Sequence, residues 1–243
     1  MMPFVYLNGT PISMYFLMGV SGFLFAVFIA LVKRKTFGLR VRDTLRIAVV
    51  GMVGAVIGAR ILGLFVQILL HGKELGFLTA ENLLGIFRRS SGILYGGLFG
   101  CMVMVALGAK FCRVDIRSAF NVLAYAAPAF DCVMRLGCWC SGCCHGITLA
   151  DGTRFPSQLF EAGFCALLLL AFLIAKPEHR WPGVPLLPIN LIAYSAGRFI
   201  LEFFRGDASR GVWLLSTSQW ISLLVFPIAV VLLVRTKKAA QQK

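Results

Sequence analysis

The sequence predicts an all-α polytopic membrane protein of about seven transmembrane helices, with its N-terminus outside and its C-terminus cytoplasmic. Three observations predict it. Hydrophobic residues make up 59% of the chain and charged residues only 14%, where an ordinary soluble domain carries about 25% charged residues. Apolar stretches near the roughly 20 residues that cross a bilayer as a helix recur along its whole length. Lysine and arginine collect in alternate connecting segments, which is the pattern of the positive-inside rule.

The first span, residues 14–32, follows a segment through Ser13 that has no lysine or arginine. That segment lacks the charged region of a signal peptide, so the first span is expected to stay in the mature protein. Lys33, Arg34, Lys35, Arg40, Arg42 and Arg46 come next, then the second span, 47–70, which holds Arg60. The third, 91–108, is followed by Lys110, Arg113 and Arg117. The fourth, 118–136, carries Asp131 and Arg135. The fifth, 158–175, precedes Lys176 and Arg180. The sixth, 184–204, holds Arg198 and Glu202, and the seventh, 216–234, runs into Arg235, Lys237, Lys238 and Lys243. The segments after the odd-numbered spans hold fifteen of the 24 basic residues, which places them in the cytoplasm. With only short loops left over, residues 1–243 are expected to form a single membrane domain. The net charge of +14 then reflects topology and attraction to anionic lipid head groups. The partners expected are membrane lipids, with no nucleic acid.

Small residues recur at four-residue steps: Gly54 and Gly58 in the second span, and Gly92, Gly96 and Gly100 in the third. Such stripes let helices approach closely in lipid. Gly96 and Gly97, beside Tyr95, also read as backbone that leaves room for a ligand. Three outward loops carry the polar detail. Residues 71–90 suggest a short surface helix. Residues 137–157 form a Gly- and Cys-rich loop ending at Pro156-Ser157, where a helix start leaves Gln158 and Glu161 in its first turns. Residues 205–213 form the last.

Ionisable residues within spans are costly and point to function. Asp131 and Arg135 are four apart and share a helix face, as do Arg198 and Glu202, with Arg205 close behind. Arg60, Arg135, Arg198 and Arg205 outnumber Asp131, Glu161 and Glu202, which leaves spare guanidinium groups to grip a phosphate. Cys138, Cys140, Cys143, Cys144 and His145 admit three readings: zinc ligands, a redox pair at Cys140-x-x-Cys143, or small thiols packing a pocket. Tyr15 and Tyr95 read as interfacial tyrosines, and His71 and His179 as solvated loop residues.

Taken together and in order, these segments resemble prolipoprotein diacylglyceryl transferases. Tyr15 is similar to a tyrosine on the family's first helix, and Gly58-Ala-Arg60 to its glycine-arginine patch. Gly92-Ile-Leu-Tyr-Gly-Gly-Leu98 resembles its histidine-glycine-glycine-leucine segment, with Tyr95 in the histidine's place. The run from Arg135 to Gly146 is similar to Arg-x-Gly-Asn-Phe-x-Asn-Gly-Glu-x-x-Gly, with Cys138 at the first asparagine and Cys143 at the glutamate. Pro156-Ser-Gln-Leu-Phe-Glu161 and Arg198-Phe-Ile-Leu-Glu-Phe-Phe-Arg205 match two further elements.

The resemblance implies transfer of the diacylglyceryl group from phosphatidylglycerol to the lipobox cysteine thiol of a prolipoprotein signal peptide, with release of glycerol phosphate. It implies a bacterial cytoplasmic membrane, an active site towards the outer face, and no cofactor or metal. Arg135 would bind the lipid phosphate and Arg198 the leaving phosphate, with Asp131 and Glu202 orienting them. Tyr95 or His145 would take the thiol proton, although tyrosine, with a reference pKa of about 10, is a weak base at neutral pH. Tyr15, Arg60, Gly96, Gly97, Cys138, Cys143, Gly146, Gln158, Glu161, Glu202 and Arg205 would complete the substrate site. Three alternatives stay open: a paralogue using the same lipid with another acceptor, a non-catalytic anionic-lipid transporter or binding protein, and a membrane thiol-redox protein.

Overall fold

The computed structural model describes residues 3–7, 10–71, 94–206, 211–212 and 214–241. Two strands, β1 (Phe4–Leu7) and β2 (Thr10–Ser13), pair antiparallel before the first helix. The helices are α1 (Met14–Lys33), α2 (Val41–His71), α3 (Leu94–Phe111), α4 (Ile116–Ser141), α5 (Ser157–Ala175), the short α6 (Pro177–Arg180), α7 (Leu186–Leu201) and α8 (Thr217–Gln241). A 3-10 turn, Glu202–Phe204, extends α7, and a two-residue hairpin, β3 (Gly211–Val212) with β4 (Leu215–Ser216), leads into α8.

Among the described residues six helices are long and apolar enough to cross a membrane: α1, α2, α3, α5, α7 with its 3-10 turn, and α8. The protein is a polytopic all-α membrane protein. The remaining expected span lies within α4, which has 26 residues but carries Arg117, Asp131 and Arg135 and is not among those six. The hairpin of β1 and β2 is absent from the sequence reading. Its signal was available, since Asn8-Gly9 is a strong two-residue hairpin marker between strand-like runs. The expected surface helix in residues 71–90 falls, beyond His71, outside the described residues.

The side chains are distributed as lipid demands. Phe16, Leu24, Phe28, Leu167, Leu170, Ile174, Leu224 and Ile228 are exposed, while Asp131, Arg135, Gln158, Glu161, Asn190, Arg198 and Glu202 are buried. Large apolar faces of this extent are not left to water in soluble proteins.

The chain divides into two compact units, Arg34–Phe120 and Met1–Lys33 with Asn121–Lys243. In the first, α2 and α3 meet backbone to backbone. A Cβ at Gly58 would lie 2.3 Å from the Gly96 carbonyl oxygen, and one at Gly100 would lie 2.1 Å from that of Gly54. Gly54, Gly58, Gly96 and Gly100 therefore mesh as expected of helices packing in lipid, and Gly92 lies outside the described residues.

In the second unit α4 packs antiparallel to α1, with Gly137 against Met18 and Gly22 against Phe130. Far from that end, the Leu186 N–H donates to Asn121 Oδ1 at 2.9 Å, and the Asn190 side chain donates to the Ala124 carbonyl at 2.9 Å. Near them Lys33 bonds Glu178 at 2.8 Å and lies 4.2 Å from the Tyr125 ring centroid, while the Tyr125 hydroxyl donates to the same carboxylate. Burial pushes the Glu178 carboxyl up, but the bonds from Lys33 and Tyr125 outweigh it and hold the group below the ordinary glutamate value. One end of this unit is thus closed by Lys33, Tyr125 and Glu178. The opposite end gathers the start of α1, the end of α4, the start of α5 and the end of α7.

Candidate active site

At that opposite end three helices bring six charges together. Arg135 Nε lies 3.5 Å from Asp131 Oδ1, one turn back on α4, and Arg135 Nη1 reaches Glu161 Oε2 on α5 at 2.6 Å. The other oxygen of Glu161 accepts from Arg198 on α7 and lies 3.5 Å from Arg205 Nη1. Glu202 Oε2 is 2.7 Å from Arg198 Nη2 and 3.8 Å from Arg205 Nε. All six residues are buried. Desolvating an ion costs several kcal/mol even after relaxation, so such a cluster persists only when its charges are matched. Among the described residues these are matched: three guanidinium groups face three carboxylates. This corrects the expectation of spare arginines within the cluster, because the fourth, Arg60, lies on α2 in the other unit. Glu161 is the hub, touching all three arginines.

Asp131 is held from two further sides. The Tyr194 hydroxyl donates to its Oδ2 at 3.1 Å, and the Cys165 thiol lies 3.3 Å from the same oxygen. A cavity of about 10 Å³ lies between Asp131, Glu161, Cys165, Tyr194 and Arg198. It holds a single water at most. A phosphate therefore enters only if the ion pairs open.

The loop after α4 is fixed beside this cluster. Gly142 and Cys144 take left-handed φ values of 69° and 62° and turn the chain sharply. Two residues from the first turn of α5 pin the result: the Ser157 hydroxyl donates to the Cys144 carbonyl at 3.0 Å, and Gln158 Nε2 donates to the Cys143 carbonyl at 2.6 Å. That carbonyl accepts only, so it fixes the NH₂ end of the Gln158 amide. The same nitrogen lies 3.3 Å from His145 Nδ1, which must accept, leaving the imidazole proton on Nε2. Gly146 then bridges Arg205. A Cβ there would stand 2.5 Å from the Phe155 carbonyl oxygen and 2.8 Å from that of Phe204, so glycine is required for the loop to reach α7. The Gly206 N–H donates to the His145 carbonyl at 3.1 Å and closes the contact.

The family model for prolipoprotein diacylglyceryl transferase matches residues 3–235. The chain belongs to that family. It is 27% identical over 241 residues to the phosphatidylglycerol–prolipoprotein diacylglyceryl transferase of Clostridium tetani, covering 92% of this chain and 93% of that protein. It is 31% identical over 245 residues to the Photobacterium profundum protein of the same description, covering 90% and 84%. The Enterococcus faecalis protein of that description is 26% identical, covering 94% and 87%.

Among the residues that carry the family resemblance, Arg135, Glu161, Arg198, Glu202 and Arg205 meet in one cluster. Gln158, His145 and Gly146 form the loop against it. Tyr15, partly exposed at the start of α1, has its Cα 3.8 Å from where a Gly137 side chain would begin. Arg60, Tyr95, Gly96 and Gly97 belong to the unit of α2 and α3, where Tyr95 is buried. The space beside Gly96 that the sequence offered to a ligand is filled by Gly58 and Leu62, and Gly97 faces Ala55 and Ala59. Both glycines let α2 and α3 pack. His145 Nδ1 is engaged by Gln158, which ties the imidazole into the loop.

The cysteines are arranged differently from their spacing. The thiols of Cys138, Cys143 and Cys144 lie within 4.8 Å of one another, and Cys140 is not in that group. None of the eight cysteines is in a disulfide. Burial, then the neighbouring Cys144, pushes the Cys143 thiol above the ordinary cysteine range.

Sequence reasoning missed Tyr194 and Cys165, and took Ser157 only as part of a helix start. Helical spacing could have found the first two. Tyr194, Arg198 and Glu202 fall at four-residue steps, and Cys165 lies four after Glu161, each on the face of its helix that bears the charges.

Proposed function

We propose that the protein transfers the diacylglyceryl group of phosphatidylglycerol to the thiol of a lipobox cysteine in a prolipoprotein, releasing glycerol phosphate. The observation that supports this reading is the buried cluster of Arg135, Arg198 and Arg205 around Glu161, in a chain of this family. In the reaction a sulfur–carbon bond forms at the glycerol carbon of the lipid and its carbon–oxygen bond to phosphate breaks. Negative charge grows on the departing phosphate, and preorganised cations stabilise that charge most where water is excluded. Each guanidinium has five N–H donors. The carboxylates engage Nε and Nη1 of Arg135 and both terminal nitrogens of Arg198. Phosphate binding exchanges some of these partners for phosphate oxygens, with Arg135 holding the lipid phosphate and Arg198 the leaving group. Asp131 and Glu202 keep the two arginines oriented.

The site faces the outer side of a bacterial cytoplasmic membrane on this reading. Lys33, Lys176 and Arg180 lie at the end of the unit closed by Lys33 and Glu178, which is the end the positive-inside rule assigns to the cytoplasm. Arg135 and its partners lie at the other.

Purified protein, phosphatidylglycerol and a lipobox peptide are expected to release glycerol phosphate and to raise the peptide mass by one diacylglyceryl group. Absence of both beside an active relative would overturn the reading. Glycerol phosphate release without peptide modification would favour a paralogue with another acceptor, a reading that draws on Cys138, Cys143 and Tyr95 standing where the family has asparagine, glutamate and histidine.

A further inference from the structure

The proposed transfer needs a thiolate, because the neutral thiol is a poor nucleophile. Tyr95 is a weak substitute for the family histidine, and His145 is tied to Gln158. The chain has instead placed three thiols together in the loop that follows Arg135, two of them, Cys138 and Cys143, at positions where the family signature asks for other residues. From these observations we propose that Cys138, Cys143 and Cys144 bind a thiophilic d10 cation of the zinc class through three thiolates, leaving one position open for the thiol of the acceptor.

The geometry supports three ligands. Zinc–sulfur bonds are about 2.3 Å, which in a tetrahedral site places sulfurs about 3.8 Å apart. Thiols already within 4.8 Å of one another stand within about 1 Å of that spacing. Adjacent side chains in extended or helical backbone diverge, yet the thiols of Cys143 and Cys144 converge. The left-handed φ of 62° at Cys144 brings this about, in a conformation that a non-glycine residue adopts at a cost. The carbonyls of the same two residues are held by Gln158 and Ser157, so the pair is fixed before any ligand arrives. Packing alone would not require it, since Cys143 and Cys144 are only half-buried.

Three protein ligands with an open fourth position is the arrangement of catalytic rather than structural zinc. A thiol that coordinates such an ion is deprotonated outright. The acceptor thiol loses its proton to water as it binds, and its sulfur then forms the bond to the glycerol carbon of the lipid. The electrons of the broken carbon–oxygen bond go to the phosphate oxygen, and the thioether product leaves the ion. No step is a redox step. The role for the acceptor rests on the transferase reading, whereas the cation site stands on the three cysteines alone.

The test uses the full chain in detergent or nanodiscs, with Co(II) as the spectroscopic probe and Zn(II) as its competitor. One equivalent of Co(II) is expected to give thiolate-to-metal charge-transfer absorption and tetrahedral ligand-field bands, both abolished by Zn(II). C138S, C143S and C144S should each weaken binding by at least about tenfold, while C132S and C140S keep it. Zn(II) should also slow alkylation of Cys143 and Cys144 but not of Cys140 in the unmutated chain, a readout that does not depend on how the variants fold. No charge-transfer band, or a band that survives C143S and C144S, overturns the site. Peptide lipidation that continues unchanged after chelation overturns its role with the acceptor and leaves the transferase reading standing. Metal binding by a chain with no transfer activity removes that reading and the acceptor role while the cation site survives.

Discussion

Arg135 and Glu161, 26 positions apart in sequence and on different helices, meet at 2.6 Å and are both buried. Through that contact the helix bearing Arg135 is locked to the hub that holds Arg198 and Arg205.

The first prediction concerns charge balance. E161Q leaves three buried arginines facing two carboxylates, and breaking a buried ion pair on one side costs about 3–5 kcal/mol. Thermal unfolding in detergent should show a large loss, greater than for E202Q, which leaves Glu161 in contact with all three. Equal stability of E161Q and the parent would remove Glu161 from its place as the hub.

Arg135 should matter for reaction as well as for assembly of the helices, because its removal also breaks the buried pair with Glu161. R135A is expected to lower transfer from phosphatidylglycerol by about 10²–10³-fold or more, the range seen when one preorganised donor to a developing anion is lost. R135K should restore charge but not bidentate geometry, and so recover only part of the rate. Full activity in R135A would refute phosphate binding there.

His145 and Gln158 share one hydrogen bond, so their substitutions should not add. H145A and Q158A are each expected to destabilise the loop, with a coupling on the order of 1 kcal/mol in a double-mutant cycle. H145A should keep its transfer rate within about tenfold. A fall of about 10²–10⁴-fold with unchanged stability would instead make His145 the base.

In the unit of α2 and α3, G100A puts a methyl group 2.1 Å from the Gly54 carbonyl oxygen. The helices must separate, and overpacking of this kind costs about 1–3 kcal/mol. Reduced thermal stability is expected for G100A, while G163A, on an open face of α5, should be neutral.

The Glu178 carboxyl sets a pH dependence at the end of its unit remote from Arg135. Its folded pKa lies below its unfolded value of about 4.3. The stabilisation is therefore complete above that unfolded value and is lost as pH falls through the folded one. The acid limb of melting temperature against pH should flatten in E178Q. An unchanged limb would show that the bonds from Lys33 and Tyr125 contribute nothing.

By itself the sequence determined the membrane class and most of the helices, because hydropathy and the placement of lysine and arginine are local properties that a bilayer reads directly. It also determined the i,i+4 pairs Asp131–Arg135 and Arg198–Glu202 and the meshing glycines, since helical periodicity places those residues on one face. Only the tertiary structure decided how the charges balance. Spacing along a helix says nothing about which carboxylate comes from another helix, so Glu161 as a common partner, and the resulting neutrality, were not legible. The cysteines show the same limit more sharply. The Cys140-x-x-Cys143 spacing suggested one pair, but left-handed turns at Gly142 and Cys144 gathered Cys138, Cys143 and Cys144, because a loop's side-chain directions follow its φ values rather than its intervals.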